Sequence, residues 1–366
     1  MQIMFSSKRT FLFALAAIGL LGLPLGHADE PFYKGKRLIV LVNYAAGGPT
    51  DIEARLLAKH IAKYIDGQPT VIVQNMDGAG GLIGANYLGE IAPKDGTIIG
   101  YFTGAAWAFA NTPDRFRVDF RQYEFLAYQP GTTVYFMRAD TPPGMKTATD
   151  IVKATGLVAG GLGAENSKDL LIRLALDLLG VPYQYVTSYR GSAAARMALQ
   201  QGEINFYSES PPSYRSVIEP SLVRDGTVLP VFYDPGYDGE SYHVPKQVEG
   251  LPILPFHELY QKVKGAPPSG QLWDIYRTIL AVNGAMQRTI LLPPGAPASV
   301  AETLREAIRR LNADPGYAEE SLKTIGFVPQ WEASADTNRQ ARKALTTSPE
   351  TRTFIADYVK SASKNK

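Results

Sequence analysis

The stretch Asn43 to Arg55, NYAAGGPTDIEAR, sets Gly47, Gly48, Pro49 and Thr50 between an apolar run, RLIVLV, and a helical pattern. Glycine lets a backbone come close to a ligand or take φ > 0. A helix N-terminus offers free N–H groups and the positive end of a dipole. The combination suits an anion held without a fixed base, and no lysine or arginine stands among these glycines. Thr50 and Glu53 also have the spacing of a capping box, which explains both without a ligand. A cap does not explain the Gly47-Gly48 pair.

Other chemistries find less support. GAGGLIG (78–84) has Ile83 where a dinucleotide fingerprint needs its third glycine. His257-Glu258-Leu-Tyr-Gln261 lacks the second histidine of a zinc helix. His60 falls on a predicted helix, and there is no GxSxG or Walker loop. Glu209 is the one base a hydrolase or isomerase could use at this cleft. The expectation is a binding protein with no enzymatic activity, no cofactor and no metal.

The glycine turns need elements to hold them. Residues 38–42 read as a buried strand, and Ala54, Leu57, Ala58, Ile61, Ala62 and Ile65 as the apolar face of a helix stopped by Gly67. TVIVQN (70–75) and DGTIIGYFTG (95–104) are further strands around a helix at 82–92. This alternation calls for a parallel sheet with right-handed crossovers. A second unit follows: a strand at 156–160, the loop GLGAENS, a helix with Leu170, Leu171, Leu174 and Leu178 on one face, and strands at 183–189, 203–208 and 227–233. A turn and helix occupy 190–202. Residues 234–290 are rich in Pro, Gly and Tyr and give no clear pattern. Helices are predicted over 298–312 and 315–325, with an amphipathic stretch over 337–362. YAAGGPT, MDGAGG, FTGAA and GGLGAENS all follow strand C-terminal ends, where open α/β sheets bind ligands. Two lobes facing one cleft is the natural arrangement. Arg190 and Lys168 are the bases closest to these loops, and each reads from position alone as a solvated side chain.

Lys8 and Arg9, the apolar Phe11–Leu25 and the small-residue end at Ala28 give residues 1–28 the layout of a secretory signal peptide. Removing its two bases from the chain's 37 leaves 35 against 35 acidic residues, a balance that argues against nucleic acid or a membrane surface as partner. The absence of cysteine excludes a thiol nucleophile and disulfides. A periplasmic protein is expected.

In order and spacing, RLIVLVNYAAGGPTDIEARLLAKHI, VIVQNMDGAGGLIGANYL, PKDGTIIGYFTG, YVTSYRGSAAARMALQQGEINF and LLPPGAPASVAETLREAIRRLNADP resemble the Bug family, the periplasmic solute-binding receptors of tripartite tricarboxylate transporters. The resemblance runs from about Phe32 to the C-terminus. It implies an α/β, two-lobed, type II-like periplasmic binding protein fold, acting as a monomer that captures a small organic carboxylate and delivers it to integral-membrane transporter subunits. A sensor feeding a signalling partner is the alternative. The lobes implied are 29–132 plus 234–366, and 133–233.

By the same resemblance the ligand carboxylate rests on the first two glycine loops, here Tyr44, Ala46, Gly47, Gly48, Thr50 and Asp51 with Gly78, Ala79, Gly80 and Gly81, beside Thr103 and Gly104. The second lobe contributes Gly163, Asn166, Ser167, Tyr189, Arg190, Ser208 and Glu209. Departures from the family pattern fall at Ala45-Ala46 (commonly Pro-Pro), at Met76-Asp77 (commonly Arg-Pro) and at Asn166-Ser167-Lys168 (frequently Ser-Ser-His), and 234–290 is longer than usual. Tyr44, Tyr101, Phe102, Trp107, Tyr189, Phe206 and Tyr207 at strand ends would suit an aromatic or long apolar acid. A bidentate grip by Arg190 would suit a di- or tricarboxylate.

Overall fold

The computed structural model describes Met1 and residues 30–362. The expected signal peptide, 1–28, lies almost wholly outside them. The first sheet has the order β2-β1-β3-β13-β4, from β1 (Arg37–Val42), β2 (Thr70–Asn75), β3 (Ile98–Thr103), β4 (Glu124–Gln129) and β13 (Arg288–Leu292). β1 pairs in parallel with β2 and β3, as the alternating pattern predicts. β13 enters antiparallel to both β3 and β4. It comes from the far end of the chain, so no local alternation announces it.

Helices α1 (Pro49–Ile61), α2 (Leu82–Glu90) and α3 (Ala105–Asn111) follow β1, β2 and β3. α1 begins at Pro49 with Gly48 as its N-cap, a position where proline's missing N–H costs nothing. Thr50 and Glu53 therefore sit inside the helix, and the expected capping box does not form. Thr50 instead bonds Thr103 (Oγ1 to Oγ1, 2.7 Å), and Glu53 crosses to Arg288 on β13 (2.5 Å). α9 (Ala298–Asn312) and α10 (Pro315–Ile325) pack on the same sheet, at the bounds their apolar spacing predicts.

The second sheet runs β12-β9-β5-β8-β6-β7, from β5 (Val134–Arg138), β6 (Leu157–Gly160), β7 (Tyr183–Val186), β8 (Phe206–Glu209), β9 (Val228–Tyr233) and β12 (Leu254–Pro255). α4 (Ser167–Leu179) ends at Gly180, whose φ of 65° is the left-handed C-cap. α5 (Ser192–Gln201) and a single turn α6 (Pro211–Ser213), continued by a π-helical segment to Val223, complete the glycine-turn side.

The division between lobes differs from the expected one. β12 pairs in parallel with β9. Phe256 and Leu259 of α7 (Phe256–Lys264) and Trp273, Tyr276 and Ile279 of α8 (Gln271–Ile279) share a core with Phe232, Leu170 and Leu174. Ile355 of α12 (Pro349–Ala362) joins them, while α11 (Thr337–Ala344) packs Ala341 on the first lobe. The second lobe thus extends well past 233 and takes in most of 234–285 and the last helix. A small hairpin of β10 (Gly236–Tyr237) and β11 (Tyr242–His243) lies in that extension. Aromatic packing, which has no sequence period, decides this: the rings of Phe232, Phe256, Trp273 and Tyr276 pack against one another, tilted or stacked, with centroids 4.9–6.0 Å apart.

Candidate functional site

The C-terminal ends of β1 and β3 are tied by one side chain. Asn43 at the end of β1 donates to the Thr103 carbonyl and accepts from the Thr103 N–H, both at 3.0 Å. Gly81 lies against it, with φ of 94°, and a Cβ there would stand 2.4 Å from Asn43 Nδ2. The turn after β2 can therefore fold over the end of β1 only with glycine at 81. Asp51 pins the first loop from inside: it accepts from Gly47 N–H (2.9 Å), Arg55 Nε (2.9 Å) and Asn75 Nδ2 (3.1 Å). These donors hold its carboxyl below the usual carboxylate range against the opposing effect of burial.

The lobes touch along this edge. Asn166 Nδ2 donates to the Tyr44 hydroxyl at 2.8 Å, and that hydroxyl donates to the Gly80 carbonyl at 3.1 Å. Arg196 Nη2 reaches the Gly47 carbonyl at 3.2 Å, and Trp107 Nε1 the Glu165 carbonyl at 3.2 Å. Arg190 stands 3.6 Å from Asp77, and Arg115 pairs with Glu165.

Two compartments lie between the lobes. An inner cavity of about 50 Å³ is walled by Gly48, Pro49, Thr50, Thr103 and Gly104 from the first lobe. Asn166, Ser167, Lys168, Ser192 and Ser210 face it from the second, with Thr133, Asn283 and Gln287 where the chain crosses between lobes. Tyr44, Ala45, Leu162 and Gly191 separate it from an outer cleft of about 560 Å³, lined by Gly78 to Gly81, Ile83, Gly163, Tyr189 and Arg190 among others. The first turns of α1, α4 and α5 all meet the inner cavity, through Thr50, Ser167 and Ser192. No Asp or Glu lines it.

The expected site residues thus divide by depth. Gly48, Thr50, Thr103, Gly104 and Ser167 line the inner cavity. Gly78, Ala79, Gly80, Gly81, Gly163, Tyr189 and Arg190 line the outer cleft, and Tyr44 and Asn166 border both. Ala46, Gly47, Asp51, Ser208 and Glu209 line neither. Gly47 and Asp51 shape the loop, and Glu209, fully buried, is held by Arg196 at 2.7 Å. Arg190 is not placed for a bidentate grip on a ligand in the inner cavity, since its side chain is 85% exposed at the mouth. Tyr101, Phe102, Trp107, Phe206 and Tyr207 are core residues, which leaves Tyr44 and Tyr189 as the aromatic lining and takes away the support for an aromatic acid.

Lys168 is the residue that position alone undervalued. It is not a solvated side chain: its ammonium donates to the Tyr207 hydroxyl and the Ser208 carbonyl, each at 3.0 Å, beneath the inner cavity. Burial pulls it below the ordinary lysine range, with the charges of Glu209 and Asp169 opposing. The signal available in the sequence was its place in the first turn of α4, where a cation meets the wrong end of a helix dipole.

No protein-family model matches the chain. In sequence it is similar to a UPF0065 protein from the TAR-I ttuE-ttuC' intergenic region of Agrobacterium vitis, 27% identical over 315 residues that make up 84% of this chain and 80% of that one. In structure it is similar to the periplasmic binding protein BugD, with a TM-score of 0.64 and 20% identity over 89% of this chain and 98% of BugD. The chain has the Bug-type periplasmic binding fold. The malate-bound structure of MatC from Rhodopseudomonas palustris shares it too, with a TM-score of 0.59 and 20% identity over 88% of this chain and 99% of MatC. Among the described residues, no helix is long and apolar enough to cross a membrane.

Proposed function

We propose that this chain is a periplasmic solute-binding protein whose lobes close over a small organic carboxylate and present it to integral-membrane transporter subunits. The observation that carries the reading is the inner cavity. Three helix first turns and a lysine face it, and no acidic side chain does. Helix N-termini and an ammonium favour negative charge together, and a site without opposing carboxylates is suited to an anion. MatC, of the same fold, was solved with malate. Glu209, the base weighed for an enzymatic role, is committed to Arg196 and lies outside the cavity.

The test is a thermal-shift panel on protein stripped of small molecules by unfolding and refolding, comparing organic acids with their uncharged amides. A ligand at a hundred times its Kd adds about 2.7 kcal/mol of stability. At least one acid should raise the melting temperature where its amide does not. Equal shifts from acid and amide, or none from any acid, would refute the reading. Delivery is checked by ligand-dependent capture of the membrane subunits on immobilised protein.

A further inference from the structure

Behind the wall of the inner cavity stands an enclosed carboxyl. Asp234, just past the end of β9, is 3% exposed. The Tyr135 hydroxyl donates to its Oδ2 at 2.8 Å, and the Tyr276 hydroxyl to its Oδ1 at 2.5 Å. The Thr133 hydroxyl turns to the same carboxyl. Among the described residues, no lysine, arginine or histidine pairs with it. The charged groups on the surrounding elements are engaged elsewhere. Asp169 of α4 takes bonds from Gly163 and Tyr185, Arg277 of α8 pairs with Asp274, and Arg288 of β13 pairs with Glu53. Glu258 of α7 acts on Tyr233, and Asp238 of the hairpin is bonded by Ser241. A carboxylate held by hydroxyls alone keeps a full charge in a low dielectric, so burial favours its protonated form. It titrates at about 7.

Its place in the fold is the second observation. The Asp234 N–H donates to the Thr133 carbonyl at 2.9 Å, and the Asp234 carbonyl accepts from the Thr132 hydroxyl at 2.5 Å. Gln287 Nε2 donates in turn to the Thr132 carbonyl at 3.0 Å. Asp234 is thus fastened to one of the segments that cross between the lobes, and through it to another. Thr133 lines the inner cavity, and so stands between Asp234 and whatever occupies that space. A hydroxyl has one proton to donate. An ionised Asp234 takes it, whereas a protonated Asp234 leaves it free for an anion in the cavity. Charge acts in the same direction, since an anion on one side of Thr133 disfavours a second negative charge on the other.

We propose that Asp234 couples ligand binding to protonation: an anion entering the inner cavity draws a proton from solvent onto this carboxyl, so that binding tightens as pH falls through neutrality. The inference rests on the carboxylate-binding reading and adds the control of that site by pH. Without ligand the carboxyl is protonated below about 7. With an anion beside Thr133 it stays protonated to higher pH, and between the two limits affinity falls as pH rises. A further rise of about one unit on binding makes the ligand about 6-fold tighter at pH 6.5 than at pH 8.5, with about half a proton taken up at pH 7.5.

The experiment is calorimetric titration of succinate, malate, adipate and butyrate into stripped wild type, D234N and Y276F. Each is run at pH 6.5 and 8.5, and at pH 7.5 in two buffers of different ionisation enthalpy. With every acid that binds, wild type should bind about 6-fold more tightly at the lower pH, and its heat should vary between the buffers in the sense of proton uptake. D234N cannot titrate. It should bind alike at both pH values, as wild type does at pH 6.5, with a heat independent of buffer. Y276F lacks a hydroxyl that favours the ionised carboxyl, so its fall in affinity should move to higher pH. At pH 7.5, infrared difference spectra should show a protonated-carboxyl band that grows when the acid is added to wild type and is missing in D234N. A wild-type affinity independent of pH, with no proton taken up, would overturn the coupling while leaving carboxylate binding intact. Equal uptake in D234N would place the proton on another group and overturn the assignment. Binding of none of the four, with no acid active in the thermal-shift panel, would instead remove the underlying reading. Should D234N not fold, the displaced pH dependence of Y276F and the wild-type infrared band decide the matter.

Discussion

Removing the bond from Asn166 to Tyr44 should weaken ligand binding without touching the cavity's charge. The bond joins the two lobes at 2.8 Å, so it exists only while they are closed. A neutral hydrogen bond contributes about 0.5–1.5 kcal/mol net, which corresponds to an affinity loss of about 2- to 12-fold. Tyr44→Phe removes it together with the 3.1 Å bond to the Gly80 carbonyl, which lies within one lobe. Asn166→Ala removes it together with the α4 N-cap, in which Asn166 Oδ1 accepts the Lys168 N–H at 3.0 Å. Loss of a cap costs about 1 kcal/mol of stability, so Asn166→Ala should also unfold at lower urea, and by more than Tyr44→Phe, whose bond to Gly80 is exposed to solvent. Calorimetry on both single variants and the double variant closes the cycle, using the acid that gives the largest thermal shift. The double variant should bind little worse than the weaker single one. Losses that simply multiply would show that the bond does not couple the lobes during binding.

Three further outcomes follow from buried groups. Glu53→Gln leaves Arg288 without its counter-charge at sites 3% and 1% exposed, and should cost about 3–5 kcal/mol in urea unfolding; a loss below about 1 kcal/mol would contradict an ionised pair. Gly81→Ala should destabilise clearly more than Gly80→Ala, since its Cβ meets Asn43 Nδ2 at 2.4 Å while that of Gly80 meets nothing within 4 Å; similar melting temperatures would show that Asn43 yields freely. Asp234, enclosed beside the hydroxyls of Tyr135 and Tyr276, is pushed up to about 7 by burial. The folded protein then binds a proton between about pH 4 and 7 that the unfolded chain has released, so this group's contribution is complete at the acid end and is lost as pH rises through 7. The loss amounts to roughly 4 kcal/mol across that window at ~1.36 kcal/mol per tenfold. Asp234→Asn should flatten the fall in stability between pH 5 and pH 8, and an unchanged slope would place its origin elsewhere.

Elements made by local periodicity were legible in the sequence. β2 and the paired helices α9 and α10 have the predicted bounds because alternation and the 3.6-residue period act within one segment. What depended on distant partners was not legible. β13 is a strand because β3 and β4 flank it, and the extension after β9 joins the second lobe through aromatic stacking. Thr50 and Glu53 carry the local signature of a cap, yet Pro49 starts the helix earlier and turns both toward tertiary partners. The glycine loops pointed to the cleft, but not to its depth. That is why Gly47 and Asp51 shape the loop from outside the cavity, while Ser192, Ser210 and Asn283 emerge only from the fold.

Mass spectrometry of small molecules released by denaturing the freshly purified, full-length protein tests the central claim most directly. The account predicts an organic carboxylate recovered in near-stoichiometric amount. A stoichiometric ligand that is neutral or cationic would contradict an anion site between the lobes.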